Sequence, residues 1–161
     1  MKKSVNPWTV PYSFPFEETF ACASGAGFDG IELNVDAPGH SAHSLTMEMT
    51  ASDMALIGEL SEKYHLPVSG ISTSLWGRTP IGAVDRGVRA QGFALLKKQV
   101  EFARAFGCDG ILVVPGGVSD ELSIKAAWES AQETLRDWGG FIEDCGVTVG
   151  VENVWNNFFL S

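Results

Sequence analysis

Apolar residues along this chain fall into short continuous runs, separated by longer stretches in which they recur every three or four positions. The runs begin near residues 28, 66, 108 and 146, and an earlier one, KSVNPWTV, occupies 3–10. Each is rich in Val, Ile and Leu and does not alternate with polar residues, the pattern of a strand buried on both faces of a parallel sheet. Two pairs of segments look alike. GFDGIEL at 27–33 matches GCDGILV at 107–113, and YHLPVSGIS at 64–72 matches DCGVTVGVE at 144–152, which gives a repeat near forty residues. Pro7 lacks an amide proton and weakens the first run as a ladder strand.

Helical periodicity fills the intervals. In 122–144, Ile124, Ala127, Ala131, Leu135, Trp138 and Ile142 share one helical face. In 85–106 the face is Phe93, Leu96, Val100 and Ala103, and in 51–64 it is Met54, Ile57, Leu60 and Tyr64. Residues 15–26 form a shorter helix candidate. Gly27, Gly107 and Gly146 stand where helices stop, as C-terminal glycines do.

Strands alternating with helices across short connections specify a parallel α/β sheet. Five strands and four helices fit either a complete flavodoxin-like, doubly wound sheet or the first part of a (β/α)8 barrel, which takes about 250 residues. The last strand runs into GVTVGVENVWNNFFLS at 146–161, polar and aromatic, with no helical pattern behind it. The expectation is therefore a partial TIM barrel, residues 1–161 forming the N-terminal part of one domain that is truncated after its fifth strand.

Composition narrows the function. The chain has 161 residues, 45% hydrophobic, enough for one domain with a real core. A net charge of −9, with 11 scattered basic residues, argues against a nucleic-acid partner. No stretch approaches the ~18 apolar residues of a membrane span, and no apolar segment follows the two N-terminal lysines. A cytoplasmic protein with no membrane partner is expected. Cys22, Cys108 and Cys145 are far apart and form no CxxC, so buried thiols in a reducing compartment are the expectation.

Several motifs are decoys. Gly25, Gly27 and Gly30 match GxGxxG, but this one closes a helix and opens a strand, the reverse of a dinucleotide site. His40 and His43 form HxxH in a segment that reads as an exposed loop, with no third ligand nearby, so solvated histidines are expected. His65 precedes a strand, at the end of a barrel that serves stability. Pro115, Gly116 and Gly117 follow a strand, either as a substrate-lining turn or as an ordinary connection. No P-loop and no GxSxG is present.

Barrel enzymes carry their chemistry at the C-terminal ends of the strands. Here those ends present Asn6 and Trp8, Glu32 and Asn34, Ser72 to Trp76, Pro115 and Gly116, then Glu152, Asn153, Trp155 and Asn156. Carboxylates and amides bind hydroxyls and indole rings cover a sugar's apolar face, so Asn6, Trp8, Glu32, Ser72, Trp76, Asn153, Trp155 and Asn156 are candidate substrate-binding residues. For Glu32 the alternative is a strand residue held by hydrogen bonds. Glu152 ends a run of Val and Gly, where an unpaired carboxylate is costly. A cation, a metal or a donor network must meet it, and oxygen ligands suit Mg2+ or Mn2+.

GVTVGVENVWNNFFLS closely resembles the fifth-strand segment of the sugar-phosphate isomerase/epimerase family, the xylose-isomerase-like TIM barrels. A very similar Glu-Asn-Val-Trp-Asn run marks the hexulose-phosphate isomerase and pentulose-phosphate 3-epimerase branch, and GFDGIEL resembles the family's second strand. The resemblance runs through the whole chain in order. It implies that Glu152 is both a ligand of a divalent metal, Mn2+ or Mg2+ before Zn2+ or Co2+, and one of two acid/base carboxylates. It assigns the other ligands, an Asp, a His and a second Glu, to strands six to eight, which this chain does not contain. Epimerases of free ketoses carry a further Glu six residues on, where Phe158 stands here, so the phosphate branch is favoured. DNA-repair endonucleases on this barrel use several histidines on earlier strands, where this chain has SGISTS and LVVPGG.

The resulting expectation is a metal-dependent isomerase or epimerase acting on a ketose or its phosphate through an enediolate, inactive as a fragment and a possible homo-oligomer. A non-catalytic half-barrel that binds a sugar or a partner chain is the alternative of a different class.

Overall fold

The computed structural model describes residues 1–117, 122–154 and 158. Its strands are β1 (Ser4–Val5), β2 (Gly30–Val35), β3 (Val68–Thr73), β4 (Gly110–Val113) and β5 (Thr148–Val151). Its helices are α1 (Phe16–Gly25), α2 (Ala51–Lys63), α3 (Arg86–Phe106), α4 (Ile124–Asp137) and α5 (Gly139–Asp144), with short 3-10 turns at Pro7–Thr9 and Leu75–Gly77.

The strands lie in one sheet, in the order β1-β2-β3-β4-β5, and every neighbouring pair is parallel. A doubly wound sheet would place β1 inside, so the sequential order excludes that architecture. The fold is five strands of a partial (β/α)8 barrel. Right-handed crossovers between sequential neighbours put the helices on one face. Ile31, Leu33 and Val35 of β2, Ile71 of β3 and Ile111 and Val113 of β4 are buried in the core they share with Phe20, Leu96, Val100 and Phe102. Alternate residues therefore point to the opposite, interior face.

Each helix has a physical start and stop. Thr50 and Asp53 form a reciprocal capping box on α2, while Asp85 and Ser123 cap α3 and α4 through their side chains. Gly107 ends α3 in the left-handed region at φ 69°. The end of α2 has no glycine, and His65 takes the positive φ of 51° there instead.

Four differences from the sequence reading have local causes. The first run is a strand only at Ser4–Val5, because Pro7 has no N–H to donate and starts a 3-10 turn. The stretch 122–144, expected as one helix, is divided at Trp138 into α4 and α5, so there are five helices and not four among the described residues. Ile124 at the start of α4 is exposed, and Thr134 is buried on the packed face. Finally, β5 is not covered on both faces: Thr148, Gly150 and Val151 are exposed, because nothing among the described residues pairs with its outer edge.

Candidate functional site

The β1 end of the sheet carries a closed amide network. Asn6 Nδ2 donates to Asn34 Oδ1 at 2.9 Å, and Asn34 Nδ2 returns a bond to Asn6 Oδ1 at 2.8 Å. Asn6 Nδ2 also donates to Ser72 Oγ at 3.3 Å, and Ser72 Oγ donates to Asn34 Oδ1. The remaining acceptor position of Asn6 Oδ1 takes the Trp8 N–H at 3.0 Å. All four hydrogen-bond positions of the Asn6 amide are thus filled within the protein.

One cavity of about 860 Å3 opens at the C-terminal ends of the strands. Asn6, Trp8, Glu32, Ser72, Trp76 and Glu152 all line it, with Thr73, Ser74, Leu112, Val114, Gly116 and Leu122 completing much of the wall. The strand ends thus bring six of the expected site residues together, as a barrel's geometry requires. Asn153 is exposed and is not among the lining residues. Trp155 and Asn156 lie outside the described residues. Gly116 and Gly117 line the cavity.

Glu152 reaches the cavity because its backbone N–H continues the ladder beyond β5, donating to Val113 O at 3.0 Å. Glu32 faces the same space from β2, opposite Gly70 in register. Below the main cavity a smaller one of about 210 Å3 shares Glu32 and Leu112 and is lined by Gly70, Gly110 and Gly150. Those glycines come one each from β3, β4 and β5. Trp76 is buried, and its Nε1 donates to Leu112 O at 3.3 Å, fixing the indole between β3 and β4. Buried Gln99 of α3 spans the same strands, donating to Ile71 O and Leu112 O at 3.3 and 3.1 Å.

The sequence reading missed Asp36. It follows the last residue of β2, is 1% exposed, and accepts from Ser44 Oγ at 2.7 Å, Ser74 Oγ at 2.6 Å and Trp8 Nε1 at 3.3 Å. No periodicity marks it: Trp8 and Ser74 are 28 and 38 residues away, and Ser44, eight residues on, reaches it only through the path of the loop. His43, expected in solvent, is 1% exposed instead, with Nδ1 bonded to Phe14 O at 2.8 Å. Its loop folds back so that Leu45 bridges Val35 alongside β2. His40 is exposed and packs on Tyr12, so the two imidazoles do not form a paired site. Cys22 is exposed, against expectation, while Cys108 and Cys145 are buried.

A divalent metal was expected at Glu152. Glu152 is exposed, so solvent meets a carboxylate that was expected to need a cation or donor network. The side chain fits as one oxygen ligand at the cavity wall, but no group of three or more His, Cys, Asp or Glu that could hold a metal occurs among the described residues. No helix among them is long and apolar enough to cross a membrane.

A family model described as a xylose isomerase-like TIM barrel matches residues 20–160. This chain belongs to the xylose isomerase-like TIM barrel family. A putative L-ribulose-5-phosphate 3-epimerase, UlaE, of Shigella dysenteriae serotype 1 is 31% identical over 94 residues, which are 58% of this chain and 32% of that protein. A solved D-psicose 3-epimerase in the presence of D-fructose superposes with a TM-score of 0.73 at 17% identity, covering 98% of this chain and 54% of that one. The IOLI protein with a zinc atom superposes with a TM-score of 0.70 at 14% identity, covering 94% and 51%. The two structural likenesses establish the fold alone. The chain spans about half the length of these two solved proteins.

Proposed function

We propose that this chain supplies the first five strands of a divalent-metal-dependent sugar or sugar-phosphate isomerase/epimerase, with Glu152 as a proton-transferring carboxylate. The observation that carries the reading is the placement of Glu152. It sits at the end of β5 on the wall of the large cavity at the strand ends, alongside Glu32 and the indoles of Trp8 and Trp76. The match to the Shigella protein favours a ketose phosphate as substrate.

The described residues perform three tasks in this account. Trp8 presents aromatic surface against which the carbon face of a sugar stacks, buried Trp76 backs the wall, and the apolar Leu112, Val114 and Leu122 exclude water. Glu152 removes the proton next to the carbonyl, giving an enediolate, and a second carboxylate returns a proton to the same or the neighbouring carbon. A divalent metal, held in part by Glu152, would supply Lewis-acid polarisation of the carbonyl when bound. Its other ligands would come from three further βα units, which would also cover the open edges of β1 and β5.

The test is proton exchange in D2O. The intact protein, with Mn2+ and a ketose 5-phosphate such as ribulose 5-phosphate, is followed by proton NMR. Loss of the signal from the carbon next to the carbonyl, at a rate proportional to enzyme, is the expected result. A panel of ketoses and ketose phosphates that all keep their protons would remove the catalytic reading and leave a sugar-binding half-barrel.

A further inference from the structure

Trp8 forms part of the cavity wall and is 40% exposed, yet it is tied at both ends. Its backbone N–H is held by the saturated Asn6 amide, which caps the 3-10 turn of Pro7–Thr9. Its indole Nε1–H donates to Asp36 Oδ2. A surface indole gains little by being fixed unless its orientation matters, because ordering an exposed side chain costs entropy.

We propose that Asp36 is a positioning residue that pre-organises Trp8 as a rigid stacking wall for the sugar and holds it beside Ser74 on the cavity wall. The carboxyl group is shared between them: Oδ2 serves Trp8 and Ser44, and Oδ1 serves Ser74. Trp8 and Ser74 line the cavity, whereas Asp36 and Ser44 do not. Ser44 is buried and belongs to the segment tied to β2 by two backbone bonds, Asp36 N–H to Leu45 O and Leu45 N–H to Asn34 O, each at 2.9 Å. Asp36 is thereby gripped from behind while it grips the cavity walls in front. Pre-organisation of this kind raises affinity by removing the cost of ordering the wall when ligand arrives. The inference rests on the proposed sugar site for its purpose, but its physical content concerns Trp8 alone.

The test reads Trp8 directly. Acrylamide quenching of tryptophan fluorescence is measured in the wild-type chain, Asp36→Leu, Trp8→Phe and the double variant. Subtracting the Trp8→Phe backgrounds isolates Trp8 from the other four tryptophans. Leucine keeps the branched shape of the carboxylate and offers no acceptor, so the Nε1–H bond is lost. Loss of that bond should raise the quenching constant of Trp8 by about twofold and leave the remaining tryptophans unchanged. A merely structural Asp36 would lower the urea midpoint with no change in the folded-state quenching of Trp8, and that result overturns the proposal. Ser44→Ala, outside the cavity, provides the same readout at smaller amplitude if Asp36→Leu does not fold. Titration with ribulose 5-phosphate separates the two claims. Wild-type Trp8 fluorescence that ignores the sugar phosphate removes the proposed ligand while the quenching result stands on its own.

Discussion

Asn6 shows how position and chemistry part company at the level of one residue. It stands at the strand end, where ligand contacts were expected, and it lines the cavity, but its amide is fully engaged with Asn34, Ser72 and the Trp8 N–H. Its role is to hold neighbours and not to offer free hydrogen bonds to a sugar. Asn6→Asp keeps the shape and replaces two donors with acceptors, which opposes Asn34 Oδ1 and leaves Ser72 Oγ without its donor. Unfolding in urea should show a loss of about 1–3 kcal/mol. An unchanged midpoint would mean that the network contributes nothing. Strand-end position made Asn6, Trp8, Glu32, Ser72, Trp76 and Glu152 readable, because a period near forty residues fixes which residues meet at the barrel mouth. Asp36 and His43 were unreadable for a shared reason. Both are buried by the loop from 37 to 45 folding back onto β2, and loop paths are set by tertiary contacts that leave no periodic trace.

Elements were legible where period and punctuation agreed. Gly107 ends α3, and Gly27 and Gly146 follow the ends of α1 and α5 at positive φ, as their positions in the sequence led one to expect. The unexpected break at Trp138 lies between two stretches with the same apolar spacing, which periodicity alone cannot divide. The α2 cap has a pH signature. Hydrogen bonds from the backbone and side chain of Thr50 hold the Asp53 carboxyl below the usual aspartate range. A depressed folded-state pKa stabilises the protein above the unfolded-state pKa, and that contribution fades as pH falls through the folded-state value. The urea midpoint should therefore decline more steeply on acidification in wild type than in Asp53→Asn, which carries no titrating group there. Parallel pH profiles would show that the cap contributes no pH-dependent stability. The Glu17–Lys63 pair between α1 and α2 also lowers a carboxyl pKa, but both side chains are more than half exposed and solvent screens the pair.

At the scale of the molecule, a sequential parallel sheet brings residues from five strand ends to one cavity. One carboxylate, Glu152, stands where β5 delivers it, and the central claim is that it transfers the proton and holds part of the metal. The most direct measurement is made on the intact protein. Turnover of a ketose phosphate and bound Mn2+ are determined together for wild type and Glu152→Gln, which keeps the volume and removes the charge. The account predicts that kcat falls by at least about 10²–10⁴-fold, the usual cost of losing a general base, and that bound metal falls with it. Activity and metal content that both remain near wild type would contradict it.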